Sequence, residues 1–87
     1  DRLVLVDFYA DWCGPCHTLS PILRKLTAER TAGSGSQLDL VTLDRQLTQP
    51  LQVRALPTVV AFRGGKPLDQ FVGALNETGV AKFLDKL

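Results

Sequence analysis

A chain of 87 residues holds one small domain, and with 45% hydrophobic residues it can build a modest core without covalent staples. Its formal charge of +1 comes from acidic and basic side chains interspersed along the sequence, which argues against a nucleic-acid or membrane-surface partner. No apolar run approaches the roughly 20 residues that cross a bilayer. No signal or transit pattern is legible, and the chain opens at Asp1 almost directly in a strand, so it reads as a processed or trimmed piece.

In chain order, Arg2 to Ala10 is a near-continuous apolar run rich in Val, Leu and aromatics, which predicts a central strand buried on both faces. Asp7 interrupts it. An ionised, unpaired carboxylate there costs several kcal/mol, so Asp7 is expected to have a raised pKa or a functional role, unless the strand ends early at a wet edge. Leu19, Ile22, Leu23 and Leu26 follow i, i+3, i+4, i+7 spacing and predict an amphipathic helix from about Pro15 to Arg30, kinked at Pro21. The stretch from Thr31 to Gln37 reads as a flexible loop inside one domain spanning 1–87. Leu38 to Asp44 alternates as a second strand, and Leu47 to Val53 reads as a short irregular helix interrupted by Pro50. Thr58 to Phe62 and Leu68 to Val72 are predicted strands, joined through Arg63-Gly64-Gly65-Lys66 as a tight hairpin. Asn76 is the predicted N-cap of a last helix whose apolar stripe is Val80, Phe83, Leu84 and Leu87. The order implies an α/β fold: a βαβ unit plus an antiparallel hairpin, giving a mixed four-stranded sheet with helices on both faces.

The chemistry concentrates in Trp12-Cys13-Gly14-Pro15-Cys16-His17, which holds both cysteines and the only histidine and tryptophan. Thiols at i and i+3 where a strand runs into a helix lie on one helical face, about 5–6 Å apart at Cβ, close to disulfide geometry. A bridge closing so short a loop constrains the unfolded chain little, so reactivity is the better reason for it than stability. A helix start supplies unpaired N–H groups and a positive dipole end, which favour thiolate. Cys13, at or before the first turn, is therefore expected to attack a disulfide. Cys16, one turn in and more buried, is expected to resolve the mixed disulfide. Pro15 suits a first turn, where an N–H has no intrahelical partner.

Two rival chemistries use the same residues. Cys13-Gly14-Pro15-Cys16-His17 matches the C-x-x-C-H haem attachment pattern, but the chain has no Met and no second His to serve as the usual second axial ligand. Two cysteines and His17 are three potential zinc ligands, but a structural site usually needs four, and adjacent positions on a helix point apart. No metal ligand set is assigned.

The run Val6-Asp7-Phe8-Tyr9-Ala10-Asp11-Trp12-Cys13-Gly14-Pro15-Cys16 closely resembles the active-site signature of the thioredoxin family. Pro21, Val53-Arg54-Ala55-Leu56-Pro57-Thr58 and Phe71-Val72-Gly73-Ala74 match further family motifs in the right order. The resemblance implies a thioredoxin-like fold and a general protein-disulfide reductase of cellular thiol homeostasis, with Cys13 as nucleophile and Cys16 as resolving thiol. It implies that Asp7 is the buried carboxylate that takes or relays the proton of Cys16. It implies that Pro57 follows a cis peptide bond, which presents the backbone of Leu56 to an extended substrate. Trp12, Gly14, Pro15, Val72, Gly73 and Ala74 match the surface on which targets dock.

By the same resemblance the domain binds no cofactor, works as a monomer on disulfide-containing proteins, and receives electrons from NADPH through a thioredoxin reductase. A reducing interior, cytoplasm or mitochondrial matrix, is the expected compartment. The family's first strand and helix have no counterpart in this sequence, which would leave the Leu38–Asp44 strand at an exposed edge. That strand also lacks the lysine many members carry near the buried carboxylate. His17 stands where lysine or arginine is frequent, and the Gly33–Ser36 loop is longer than usual. A disulfide isomerase or oxidase of the same fold, and a non-catalytic docking module, are the alternatives. The Gly14-Pro15 pair resembles the reducing members, and retention of both cysteines with Asp7 and Pro57 argues against a docking module.

Overall fold

The strand that opens the chain, β1 (Arg2–Tyr9), forms the middle of the sheet, because it is the most apolar stretch and is flanked by strands on both sides. The computed structural model describes residues 2–44 and 55–87. After β1 come α1 (Gly14–Glu29), β2 (Gln37–Asp44), β3 (Thr58–Arg63), β4 (Lys66–Val72) and α2 (Glu77–Asp85). The sheet order is β2-β1-β3-β4; β2 runs parallel to β1, while β3 is antiparallel to both β1 and β4. The mixed four-stranded α/β sheet expected from the sequence is therefore present, with β2 at an edge. The expected helix over Leu47 to Val53 and the Val53-Arg54 part of the motif lie outside the described residues.

Register explains which side chains meet. Leu3, Leu5 and Asp7 of β1 lie opposite Leu38, Leu40 and Thr42 on β2 and opposite Arg63, Ala61 and Val59 on β3. Strand alternation puts these residues on one face. Leu19, Leu23 and Leu26 of α1 and Val80, Phe83 and Leu84 of α2 pack into the same core as Leu3, Leu5, Val59 and Ala61. Both described helices thus cover one face of the sheet, and the expectation of helices on both faces rests, for the second face, on the segment outside the described residues. On that second face Phe8 and Thr58 are buried, while Val4, Val6, Val60 and Phe62 are half-buried. The prediction that β1 is buried on both faces is correspondingly too strong. The five leucines at positions 3, 5, 19, 23 and 84 have no exposure at all, and each contributes at most roughly 1.5–3 kcal/mol.

Local signals set the boundaries. Helix α1 runs unbroken through Pro21. The hairpin turns on Gly64 and Gly65, both at positive φ, where a side chain would be strained, so β4 begins two residues earlier than the sequence pattern suggests. Asn76 caps α2 as predicted, its Oδ1 accepting from the Gly79 N–H at 2.8 Å. The Gly/Ser-rich loop after α1, read as flexible from composition, is tethered. The Gly33 and Ser34 N–H groups donate to the Leu84 and Leu87 carbonyls at the end of α2, at 3.0 and 2.9 Å.

Candidate active site

At the C-terminal end of β1 the chain makes a tight turn, closed by the Cys13 N–H donating to the Ala10 carbonyl at 3.0 Å. Cys13 then serves as the N-cap of α1, with extended backbone angles, and its Sγ accepts the Cys16 N–H at 3.2 Å. The sulfur thus occupies the place of a capping oxygen and lies against the positive end of a 16-residue helix. Both the hydrogen bond and the dipole lower the energy of a negative charge on Cys13 and so favour its thiolate. Pro15 sits in the first turn, where it removes an N–H that needs no intrahelical partner. The two cysteines are joined in a disulfide with Cα atoms 5.4 Å apart. In this oxidised form they are buried almost equally, at 4% and 2% exposure, so the asymmetry between them is in hydrogen bonding more than in burial.

Asp7 lies on the helix-covered face of β1 and is 1% exposed, which excludes the wet-edge alternative. The Ser20 hydroxyl on α1 donates to its Oδ2 at 3.2 Å, and Oδ1 has no hydrogen-bond partner among the described residues. Burial pushes the carboxyl above its ordinary value of 3.8, while the Ser20 hydrogen bond and the Arg24 guanidinium pull it partly back. A carboxyl so placed holds a proton more readily than one in water. Sequence reasoning assigned no role to Ser20. Its one available signal was position, one helical turn after Cys16 and one before Arg24.

The Leu56–Pro57 peptide bond is cis. Leu56 is half-buried and packs, with Tyr9, against the cluster of Ala10, Cys13 and Cys16, so the residue before the proline does adjoin the dithiol. The side chain of Pro57 itself is fully buried and offers no surface. Its carbonyl accepts the Gly73 N–H at 2.8 Å, which draws the end of β4 against this loop. Gly73 has φ +93°, a conformation that disfavours any side chain there. Around the cysteines, Gly14 and Pro15 are exposed, as are Ala74, Val72 (54%) and Trp12 (72%). The His17 ring turns back instead, with Nε2 donating to the Asp11 carbonyl at 2.8 Å.

The family model described as Thioredoxin matches residues 1–86. A thioredoxin of Chlorobaculum thiosulfatiphilum is 39% identical over 87 residues, covering 99% of this chain and 80% of that protein. A bifunctional thioredoxin reductase/thioredoxin of Mycobacterium leprae is 37% identical over 85 residues, which is 97% of this chain but 18% of that protein. Among solved structures, the germline-specific thioredoxin Deadhead of Drosophila melanogaster superposes with a TM-score of 0.80 at 32% identity, covering 100% of this chain and 82% of that one. The likeness runs through the sheet as well as the Cys-Gly-Pro-Cys turn, and it places this chain in the thioredoxin family, as a thiol–disulfide oxidoreductase.

Proposed function

We propose that this domain reduces protein disulfides, with Cys13 as nucleophile, Cys16 as resolving thiol and Asp7 as proton acceptor. The observation that carries the assignment is the Cys16 N–H directed at Cys13 Sγ at the start of α1. That donor stabilises Cys13 as a thiolate and as a leaving group, and it does nothing comparable for Cys16. In the reduced form the Cys13 thiolate attacks one sulfur of the target disulfide. The target's S–S bond breaks, a Cys13–target disulfide forms, and the other target sulfur leaves as thiolate. Cys16 then gives its proton to Asp7, and its thiolate attacks Cys13 Sγ. The Cys13–Cys16 bond forms, and the second target sulfur departs. Two electrons pass from the domain to the target, and the target's two thiolates become thiols by taking up the proton that Asp7 releases and one from solvent.

Trp12, Gly14, Pro15, Val72, Gly73 and Ala74 supply the docking surface, and Leu56 offers backbone to an extended target segment. Pro57, buried beneath, acts as support for that segment. Because the dithiol itself carries the electrons, the domain needs no bound cofactor. A thioredoxin reductase drawing on NADPH recycles it, a partnership supported by the M. leprae relative, whose name joins both activities. The domain works as a monomer in a reducing interior, since an oxidising one would keep the pair closed.

Trapping tests the assignment. With Cys16→Ser, incubation with a disulfide-bonded target is expected to accumulate a mixed disulfide on Cys13, read by intact mass and peptide mapping. An adduct that forms on Cys16 in Cys13→Ser, with none on Cys13 in Cys16→Ser, would reverse the two roles.

A further inference from the structure

Asp7 is held asymmetrically. Its Oδ2 accepts the Ser20 hydroxyl at 3.2 Å, whereas Oδ1 is buried and has no hydrogen-bond partner among the described residues. The donor stands on the same helix as the thiol that must lose its proton: Cys16, Ser20 and Arg24 follow at intervals of four along α1, which stacks them on one side of the helix. The same side forms one wall of a cleft of about 220 Å³, lined by Tyr9, His17, Ser20, Pro21, Arg24 and Thr42. Thr42 is the β2 residue opposite Asp7, so the cleft flanks the carboxylate.

We propose that Ser20 is a positioning residue for the resolving step: its hydroxyl fixes Asp7 through Oδ2 and leaves Oδ1 as the oxygen that receives the proton of Cys16. This rests on the reading of Asp7 as proton acceptor. Two physical effects follow from one bond. A carboxylate anchored at one oxygen cannot rotate freely, so the other oxygen is presented in a single orientation. A hydroxyl that donates to the ionised form favours that form, which opposes the effect of burial and leaves Asp7 able to accept a proton at higher acidity. Arg24 acts in the same direction from the next turn. The groups opposite Asp7 on the neighbouring strands, Thr42 on β2 and Val59 on β3, do not titrate. His17 and Tyr9 are the remaining titratable groups lining the cleft.

The test is the pH dependence of the resolving step in the full chain. It is followed by stopped-flow release of a fluorescent thiol from a mixed disulfide preformed on Cys13. In Ser20→Ala the acidic limb of that profile is expected to move to higher pH, by about tenfold in proton concentration, the worth of one hydrogen bond to a charged group. Ser20→Thr, which keeps the hydroxyl, is expected to stay at the wild-type position. A 13C titration of the Asp7 carboxyl reads the same displacement directly and does not depend on rate. A wild-type limb in Ser20→Ala, or a Ser20→Thr limb displaced as far as that of Ser20→Ala, would overturn the role of Ser20. Asp7→Asn separates the two layers of the argument. Loss of the limb in that variant upholds Asp7 as the acceptor whatever Ser20→Ala does, while an unchanged limb removes Asp7 from the mechanism and the Ser20 proposal with it.

Discussion

The two ends of the sheet are built on opposite terms. At the end remote from the cysteines, the loop and helix ends are tied together by hydrogen bonds. The loop after α1 donates the Gly33 and Ser34 N–H groups to the last carbonyls of α2, and it closes on itself through Ala32 to Ser36 and Gly35 to Ala32 at 2.9 Å each. Arg63 Nη2 donates to the Ser34 and Ser36 hydroxyls at 3.1 Å, and Arg30 pairs with Asp85. At the dithiol end the same chain buries Asp7 with one oxygen unpartnered among the described residues and exposes Trp12 and Val72. A buried carboxyl short of partners is costly in a stability sense and useful in a chemical one. The difference teaches where this fold keeps its reactive capacity: one end holds the structure closed, and the other is left able to change partners.

If that division is right, changes at the dithiol end should alter rate far more than stability, and changes at the remote end the reverse. The largest effect is expected for Asp7→Asn, which removes the proton acceptor and should slow the resolving step by about 10²-fold, measured by stopped flow at pH 7. Its stability should move the other way. Burial raises the folded-state pKa of Asp7 above the ordinary 3.8, so the native state binds the proton more tightly than the unfolded chain does. Ionising Asp7 therefore costs stability progressively as pH rises from 3.8 to the raised value, and the cost stays constant above it. Asp7→Asn should accordingly be more stable than wild type at pH 7 and lose that advantage on acidification below 3.8, as read by denaturant titration at both pH values. A variant destabilised at neutral pH would break the comparison at its centre.

The next effect belongs to the remote end. A Cβ on Gly33 would overlap the Asp85 carbonyl oxygen, a backbone atom with little freedom to move. Gly33→Ala is expected to lose about 1–3 kcal/mol of stability, seen as a lower denaturation midpoint, with a rate of disulfide reduction within twofold of wild type. A strong loss of rate with folding intact would mean that the two ends are coupled. The smallest effect is expected from Trp12→Ala. At 72% exposure its removal should change stability by less than about 0.5 kcal/mol. It should raise KM for a protein disulfide several-fold while leaving reduction of a small disulfide untouched. Equal effects on both substrates would assign Trp12 to the chemistry and not to docking.

Much of this was legible before any coordinate. Leucine spacing located α1 to within a residue or two, Asn76 marked the start of α2, and the Cys-Gly-Pro-Cys run identified the redox pair. These are local signals: helical period, capping chemistry and the reach of neighbouring thiols depend on residues a turn apart. Gly64 and Gly65 marked the hairpin for the same reason, but β4 began earlier than its pattern because Lys66 and Pro67 pair with β3 although neither favours a strand. Backbone pairing can extend a strand past the end of its hydrophobic signal.

By itself the sequence determined the order of elements, the apolar faces that must be buried, and a dithiol seated on a helix start. Each of these follows from the chain's own periodicity and from short-range geometry. Only the tertiary structure decided that both described helices share one face of the sheet, that a loop rich in Gly and Ser is held as the cap of α2, and that Asp7 meets Ser20 across thirteen positions of sequence. Those outcomes depend on strand register and on how α1 lies over β1. A one-residue slip in the first would send Asp7 to the other face, and composition carries no record of either.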